Sequence, residues 1–367
     1  MLINSEIKLF DCSIVRLFNC SIIQSKIIFV SALLLFQIIL CFSVSYSQDI
    51  HYTQFTSSPL NLNAGLTGNF NNDYRLVMNG RQQWRSIPVP YETFSASFDT
   101  KVLRTLVPRS WFGAGILLNA DRAGDSEFGT TQVKLLASYH RVMNTDSTFV
   151  LSAGLNAAFN QNNINYNNLY WDYQFVGGQY VSNAPTGEDF SQMDNKLTYF
   201  DCAVGLNMYY LINDKVPLNT GISFLHLNKP KRSFFDNEDI DLNNNFLIYS
   251  QSQFFFNEQW SAIPSIMYMR QGKFHEFDAG GFFKYDIDNV SFRAFYFGAW
   301  MRLKDAGNLA IALDYQNIYI GISYDINTSK LTEASNGRGG LEVAIIYMFG
   351  RSKYNTIPYK VKCPRFI

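Results

Sequence analysis

Beyond residue 70, apolar and polar residues alternate with a period of two through most of the chain. At this period successive side chains of a β-strand point to opposite faces. Leu309, Ile311, Leu313 and Tyr315 fall on one face, while Ala310, Ala312 and Asp314 fall on the other. Ile318, Ile320, Ile322 and Tyr324 alternate in the same way with Tyr319, Gly321, Ser323 and Asp325. Phe149, Leu151, Leu155 and Phe159 alternate with Ser152, Gly154, Asn156 and Asn160. One face is apolar and the other small or polar, which suits strands set between lipid and a wet or tightly filled lumen.

Such runs predict strands over 73–84, 91–102, 110–120, 129–141, 148–160, 196–211, 217–227, 245–257, 260–270, 274–286, 290–303, 308–316, 318–327 and 339–349. The count is fourteen, and an even count is what single-chain bacterial barrels require. Connection lengths agree with it. The even-numbered connections (103–109, 142–147, 212–216, 258–259, 287–289 and 317) are short, while the long ones (161–195, 228–244 and 328–338) are all odd-numbered. Short turns at one end and long loops at the other are the usual arrangement of an outer-membrane barrel. The expected fold is therefore all-β: a transmembrane outer-membrane barrel of about fourteen antiparallel strands, with both termini periplasmic and the long loops outside the cell.

Composition sharpens the class. Only 16% of the 367 residues are charged and 16% are aromatic, whereas a water-soluble domain carries nearer ~25% charge. After residue 48 no apolar run approaches the ~20 residues that a membrane-crossing helix needs. A soluble β-sandwich or lipocalin-like barrel is the competing all-β reading, and low charge with many aromatics argues against it.

The N-terminus breaks the alternation. Ile27–Phe42 is almost unbroken apolar sequence, with Lys26 before it and Ser45-Tyr46-Ser47 behind it. This is the layout of a signal peptide cut after Ser47, and a retained membrane anchor is the alternative. Expected divisions are a leader and signal peptide over 1–47, a periplasmic segment over 48–72, the barrel over 73–349 and a periplasmic tail over 350–367. The cut removes Lys8, Arg16, Lys26, Glu6 and Asp11 and leaves 27 basic against 28 acidic side chains. A charge so near zero argues against nucleic acid as a partner. Cys202 and Cys363 alone remain, too few for a disulfide framework or a zinc site.

Catalytic chemistry finds no constellation. His51, His140, His226 and His275 are far apart, and the sequence contains neither H-E-x-x-H nor C-x-x-C spacing. His140 and His226 end strands, where a ring commonly sits at the membrane interface, and each histidine is read as structural. His275 and Glu276 are adjacent on a strand and point to opposite faces. Gly337–Gly340 is glycine-rich but opens a strand instead of a helix, so it is no phosphate cradle. No catalytic, cofactor or metal residues are assigned. Asp201, Asp278, Asp314, Asp325, Glu342 and Arg293 are candidates to line the lumen, either as a transport path or as an internal polar network.

Several stretches, in order, carry a resemblance. They are Gln48–Phe55 with Ser58–Gly68, Asn79–Ser86 with Tyr91–Ser97, Asn119–Asp125, Tyr268–Gly272, Ser323–Asn327 with Ala334–Gly340, and Lys362–Phe366. The resemblance they carry covers essentially all of 48–367, and it is to the PorP/SprF family. The resemblance implies a non-enzymatic outer-membrane barrel of the type IX secretion system. It also implies partners: secreted cargo with a C-terminal secretion domain, including gliding-type adhesins delivered to or held at the cell surface, and periplasmic secretion or peptidoglycan-anchoring proteins. No cofactor is implied. Tyr170, Trp171 and Tyr173 in the longest loop, with Asn336 and Arg338, are the candidate cargo contacts. Their aromatics could instead fold into the mouth as a plug. Arg81, Gln83 and Arg85, and the basic tail with Lys362 and Arg365, are candidates for pinning, for a periplasmic partner or for outer-membrane lipid headgroups. An outer-membrane pore or transporter for small solutes is the alternative function.

Overall fold

A computed structural model describes residues 49–350 apart from 84–89, 105, 191–192, 214, 235–239, 288, 290, 304 and 329–337, and of Arg338 it describes the backbone alone. The leader and the tail expected at either end lie outside the described residues, as do Arg85, Asn336, Lys362 and Arg365.

The alternating runs become fourteen long strands: β1 (Tyr74–Gln83), β2 (Tyr91–Val102), β3 (Ser110–Ala123), β4 (Phe128–Val142), β5 (Phe149–Asn163), β6 (Lys196–Ile212), β7 (Val216–Leu225), β8 (Asn245–Ser252), β9 (Trp260–Gln271), β10 (Phe274–Asp286), β11 (Phe292–Arg302), β12 (Ala306–Tyr315), β13 (Ile318–Asn327) and β14 (Arg338–Phe349). Each pairs antiparallel with its neighbours in sequence, and β1 pairs with β14 from Tyr74↔Phe349 to Gln83↔Gly340. Pairing the first strand with the last closes the sheet and leaves no edge with unpaired backbone groups, which is what a sheet needs in hydrocarbon. β8 pauses at Gln253, whose N–H turns to Pro217 O (3.1 Å), and resumes as the short pair Phe254–Phe255.

The two faces sort as the alternation predicts. On β12, Leu309 and Ile311 are 61% and 57% exposed, while Ala310 and Ala312 are 4% and 6% exposed. The exposed set lies on the outside, where its contact is lipid. Paired rings gird one end of the wall: Tyr74 with Phe349 (5.2 Å), Phe149 with Tyr210 (5.8 Å), Trp260 with Tyr285 (4.8 Å) and Phe292 with Tyr315 (5.1 Å). Outward Phe94, Phe200, Phe224, Phe277 and Tyr324 ring the other. Such girdles mark the two membrane–water boundaries of a barrel.

The first girdle surrounds the end where β1 begins and β14 finishes, called the base here; its connections are short. The opposite mouth carries 164–195 and 226–244, and β13 ends and β14 begins there, so the long connections share one side as their odd numbering predicted.

Candidate functional site

The lumen is filled by the chain's own N-terminal segment. Every residue from Tyr52 to Phe70 except Asn61 is buried. The segment is a thread of tight turns, 3-10 at Phe55–Ser57, one α-turn at Pro59–Leu62 and 3-10 at Ala64–Leu66. The expected periplasmic segment over 48–72 does not describe residues 49–70, which lie among the inward-facing side chains of the barrel.

The direction of the thread follows from its contacts. Asp49 meets His226 and Asn245 at the long-loop ends of β7 and β8. Thr53 N–H donates to both oxygens of Glu342 (3.1 Å each), and Thr53 Oγ1 donates to Asp325 (3.1 Å). Halfway down, Asn63 Nδ2 donates to Leu206 O (2.9 Å) and Ile222 O (3.1 Å), and Ser223 Oγ donates to Leu62 O (2.9 Å). At the base, Trp111 Nε1 donates to Gly68 O (3.0 Å), and Gly68 N–H donates to Asp99 (2.7 Å). The thread thus enters at the long-loop mouth and leaves at the base, where β1 starts. Residue 49 is therefore at the opposite mouth from residue 350, which corrects the expectation that both ends of the barrel chain lie on one side.

The wall is shaped to receive it. Gly113, Ser138, Gly154, Gly205 and Ser223 are consecutive cross-strand partners from β3 to β7, all facing inward. A Cβ on Gly113 would lie 2.1 Å from Thr67 O, on Gly154 2.3 Å from the Ala64 carbonyl, and on Gly205 1.9 Å from Asn63 Oδ1. Glycine inside a strand weakens it, and close approach of another backbone is one reason it is kept. The serines in the same row bond the thread: Ser138 Oγ donates to Thr67 O (2.6 Å) and Ser223 Oγ to Leu62 O. The other half of the lumen is packed with side chains, Phe55, Leu62 and Leu66 of the thread lying against Tyr249, Met267, Phe282, Tyr296, Trp300 and Tyr319.

Of the six lumen candidates, Asp201, Asp278, Asp325 and Glu342 are buried and inward, and Asp314 is half-buried on the same face. They form the internal network of the two readings kept open above. Arg81 joins it, donating to Asp325 (3.0 Å) and His51 O (3.0 Å) and lying 3.3 Å from Glu342. Arg302 donates to Thr53 Oγ1 (2.8 Å) and sits 3.4 Å from both Glu276 and Asp278. Arg293 is a correction: the register shift between Phe292 and Ala294 precedes an outward position, and its exposed guanidinium meets Asn317.

Two of the histidines, His140 and His226, are buried against the thread and are not at the membrane interface as their strand-end positions suggested. His140 Nε2–H donates to Thr67 O (2.7 Å) while its ring stacks on Trp111 (4.8 Å). His226, just beyond β7, stands between Asp49 (2.7 Å) and Asp201 (2.8 Å). Both face the thread because a buried carbonyl or carboxylate needs a donor. His275 faces out to Tyr268 while Glu276 faces in, as adjacent strand positions must.

Burial, the largest single influence on His226, lowers its pKa. The Asp49 carboxylate and the hydrogen bonds to Asp201 and Asp49 outweigh that and push it up to about 9. Asp49 ends below the usual carboxylate range, because His226 and Asn245 together outweigh its own burial. Stabilisation from His226 is complete below its unfolded pKa of about 6.5 and is lost as pH rises through about 9. That from Asp49 is present above about 3.8 and is lost as pH falls through its depressed pKa. Hydrogen exchange at residues 50–53 should therefore be slow from mildly acidic to neutral pH and accelerate near pH 9. The His226→Gln variant should lose that alkaline step; a step that survived would remove His226 as its cause.

At the long-loop mouth, loop 164–195 is ordered around Gln174. Its side chain donates to Ser182 O (3.2 Å) and Ala184 O (3.1 Å) and accepts from Tyr180 (3.2 Å). Phe175–Val176 and Gln179–Tyr180 form a miniature hairpin on Gly177 and Gly178, both at positive φ (62° and 81°). A two-residue turn of this hand demands that conformation, which glycine adopts without strain. Tyr170 packs on Tyr180 (4.9 Å), and Trp171 on Phe190 (5.2 Å). Tyr170 and Tyr173 stay 65% and 73% exposed, whereas Trp171 is half-buried against its own loop. Arg338 begins β14, where its backbone faces Ile326.

The model of the family described as type IX secretion system membrane protein PorP/SprF matches residues 44–347. No curated protein matches the chain. Among solved structures, the toluene transporter TbuX of Ralstonia pickettii is 11% identical with a TM-score of 0.46, over 80% of this chain and 94% of its own. The toluene transporter TodX of P. putida is 11% identical with a TM-score of 0.44, over 79% and 93%. The translocator domain of the autotransporter NalP from Neisseria meningitidis is 11% identical with a TM-score of 0.36, over 81% and 96%. The family match takes in both the thread and nearly all of the barrel, and the chain belongs to the PorP/SprF family, an integral outer-membrane β-barrel component of the type IX secretion system.

Proposed function

We propose that this barrel is a non-enzymatic, self-plugged component that helps a cognate secreted protein reach or stay on the cell surface, with the cargo meeting the long-loop mouth and not passing through the lumen. The observation that supports this is the thread. Buried over Tyr52–Phe70 and bonded to strands all round the wall, it occupies the space a translocating chain or a small solute would use. A cargo of gliding-adhesin type, bearing a C-terminal secretion domain, then has the loops as its contact. The exposed rings of Tyr170, Tyr173 and Phe175 on a pre-ordered loop have the character of interface anchors. The base, opposite those loops, would face the periplasm. The tail with Lys362 and Arg365 leaves β14 at that end and would meet periplasmic anchoring proteins or lipid headgroups.

Deleting the gene and restoring it as wild type or as Tyr170→Ala/Tyr173→Ala/Phe175→Ala tests this reading. The cognate secreted protein is followed by immunoblot of cell and medium fractions. Deletion should strip it from the surface, wild type should restore it, and the triple variant should restore several-fold less while reaching the outer membrane normally. Unchanged display, with reduced small-solute uptake in the deletion strain, would make the protein a transporter instead.

A further inference from the structure

The outer wall is uneven in charge near the long-loop mouth. Arg270 and His275 are direct cross-strand partners on β9 and β10, both outward and both exposed. Lys273, also exposed, stands in the two-residue turn that joins these strands. Gly272 opens that turn at φ 58°, a conformation that tight hairpins ask of their first central residue. A Cβ on Gly272 would stand 2.9 Å from Asn243 Nδ2, so the turn also rests on the neighbouring loop. Arg270 Nε donates to Gly272 O (3.4 Å), which holds the guanidinium at the turn. Tyr268 Oη and His275 Nδ1 are hydrogen-bonded (2.7 Å), which fixes the imidazole and leaves Nε2 as its second polar atom.

The acids nearby are turned elsewhere. Glu276 points into the lumen towards Arg302 (3.4 Å), and Asp305, in the turn after β11, accepts from Arg302 Nη1 (3.0 Å). The wall of β1–β3 differs. Its outward positions at the same end, Gln82, Glu92 and Arg122, are joined in register; Gln82 donates to Glu92 (3.0 Å) and Arg122 pairs with Glu127. Acid and base are balanced there, whereas the β9–β10 hairpin is basic.

Below the basic patch the wall is apolar. Phe246 is the partner of Arg270 on β8, and Phe277 is the partner of Tyr268 on β10. Ile266 and Met301 follow one rung nearer the base, both exposed. Phe277 belongs to the mouth-side girdle, so Arg270 and His275, on the next outward rung, stand at the depth of lipid headgroups. Cations just beyond an aromatic belt meet anionic headgroups. An arginine takes phosphate oxygens in pairs, and a lysine adds a point charge.

We infer that the outward face of the β9–β10 hairpin binds a phosphorylated lipid of the mouth-side leaflet, its phosphate on Arg270, Lys273 and His275 and its acyl chains along Phe246, Phe277 and Ile266. In the orientation proposed above, on which only the naming of the leaflet rests, this is the phosphorylated glycolipid of the outer leaflet. A lipid held there braces the turn and, through Asn243, the loop over 226–244.

The test uses full-length protein extracted from native outer membranes and exchanged into mixed micelles of neutral phosphatidylcholine and bisphosphorylated lipid A. Lipid retained through gel filtration is measured by mass spectrometry. Wild type should retain lipid A in preference to phosphatidylcholine. Lys273→Gln, at an exposed turn, should retain roughly fivefold less, and Arg270→Gln/Lys273→Gln should lose a similar factor again. Dephosphorylated lipid A should be retained no better than phosphatidylcholine. Arg122→Gln, on the balanced sector, should match wild type, and heat-modifiability on gels confirms that each variant is folded. The inference falls if the folded double variant retains as much lipid A as wild type, or if the dephosphorylated lipid is retained equally well. It falls too if inorganic phosphate displaces the lipid, which would make the patch a simple anion site. No preference for lipid A at all would leave the patch to an acidic protein partner. Neither orientation nor cargo enters a measurement in micelles, so its outcome is separate from that of the display assay.

Discussion

Replacing Gly154 with valine should push the thread out of its seat, lower the resistance of the barrel to unfolding, and give the closed lumen a measurable ion conductance. A Cβ at this position would stand 2.3 Å from the carbonyl carbon and oxygen of Ala64 and 2.5 Å from Gly65 N. These are backbone atoms that no rotamer change can move aside. Overpacking of a filled interior costs about 1–3 kcal/mol, occasionally more, and valine adds two methyl groups beyond the Cβ. Gly205 is the cross-strand partner of Gly154 and presses on Asn63, so Gly154→Val/Gly205→Val should disturb the same turn and show a non-additive effect. Gly80 is the control: a Cβ there meets nothing within 4 Å, and Gly80→Val should be nearly neutral. Heat-modifiability on gels reads the stability and planar bilayers read the conductance. If the Gly154 and Gly80 variants behaved alike in both, the thread would not be the element that closes the lumen.

The wall of this molecule was legible in its sequence because a strand in a membrane barrel answers to local rules. Leu309 to Tyr315 and Ile318 to Asn327 meet lipid on one face and the lumen on the other, so alternation alone places them. The strand ends drifted where lipid no longer selects: β3 runs on to Ala123 and β5 to Asn163, with polar residues on both faces. The thread was not legible, since its partners are distant in sequence and it has no period of its own. Thr53 bonds Glu342, 289 positions away, and no local pattern records such a pairing. A trace of it does exist in the row Gly113, Ser138, Gly154, Gly205 and Ser223. Those five residues are scattered over more than a hundred positions and become neighbours only once the register of five strands is fixed.

The site residues divide for the same reason. Tyr170 and Tyr173 are exposed because the loop folds on Gln174 and on its own hairpin, a matter of short-range chemistry that aromatic content hinted at. Trp171 looked equivalent in sequence, yet its ring packs on Phe190, nineteen positions along. His140 and His226 sit at strand ends as an interfacial ring would, and parity turns them inward; only the thread supplies the carbonyl of Thr67 and the carboxylate of Asp49 that they serve.

Arg75→Leu should be among the most destabilising single substitutions in the base of the barrel. Arg75 is 1% exposed, and its Nε and Nη2 donate to the two oxygens of Asp99 (2.9 and 2.7 Å), which is itself fully buried. Nη2 also donates to Leu66 O (3.0 Å), and Asp99 accepts from Gly68 N–H (2.7 Å), so the pair ties β1 and β2 to the end of the thread. Removing one member of a buried ion pair strands the other charge, at a cost of about 3–5 kcal/mol. Replacing both with apolar residues relieves that charge. Arg75→Leu/Asp99→Leu should therefore be less destabilised than Arg75→Leu alone, even though Gly68 N–H loses its acceptor, a loss of about 1–3 kcal/mol. Breaking the exposed Arg122–Glu127 pair at the other mouth should change almost nothing. Urea unfolding in lipid vesicles, followed by tryptophan fluorescence, measures all of these, with Trp111 close to the break through its bond to Gly68 O. A double variant no more stable than Arg75→Leu would mean that the hydrogen bonds to the thread, and not the stranded carboxylate, dominate the loss. The base would then be held chiefly by the thread, and the two strands would depend on it for their own pairing.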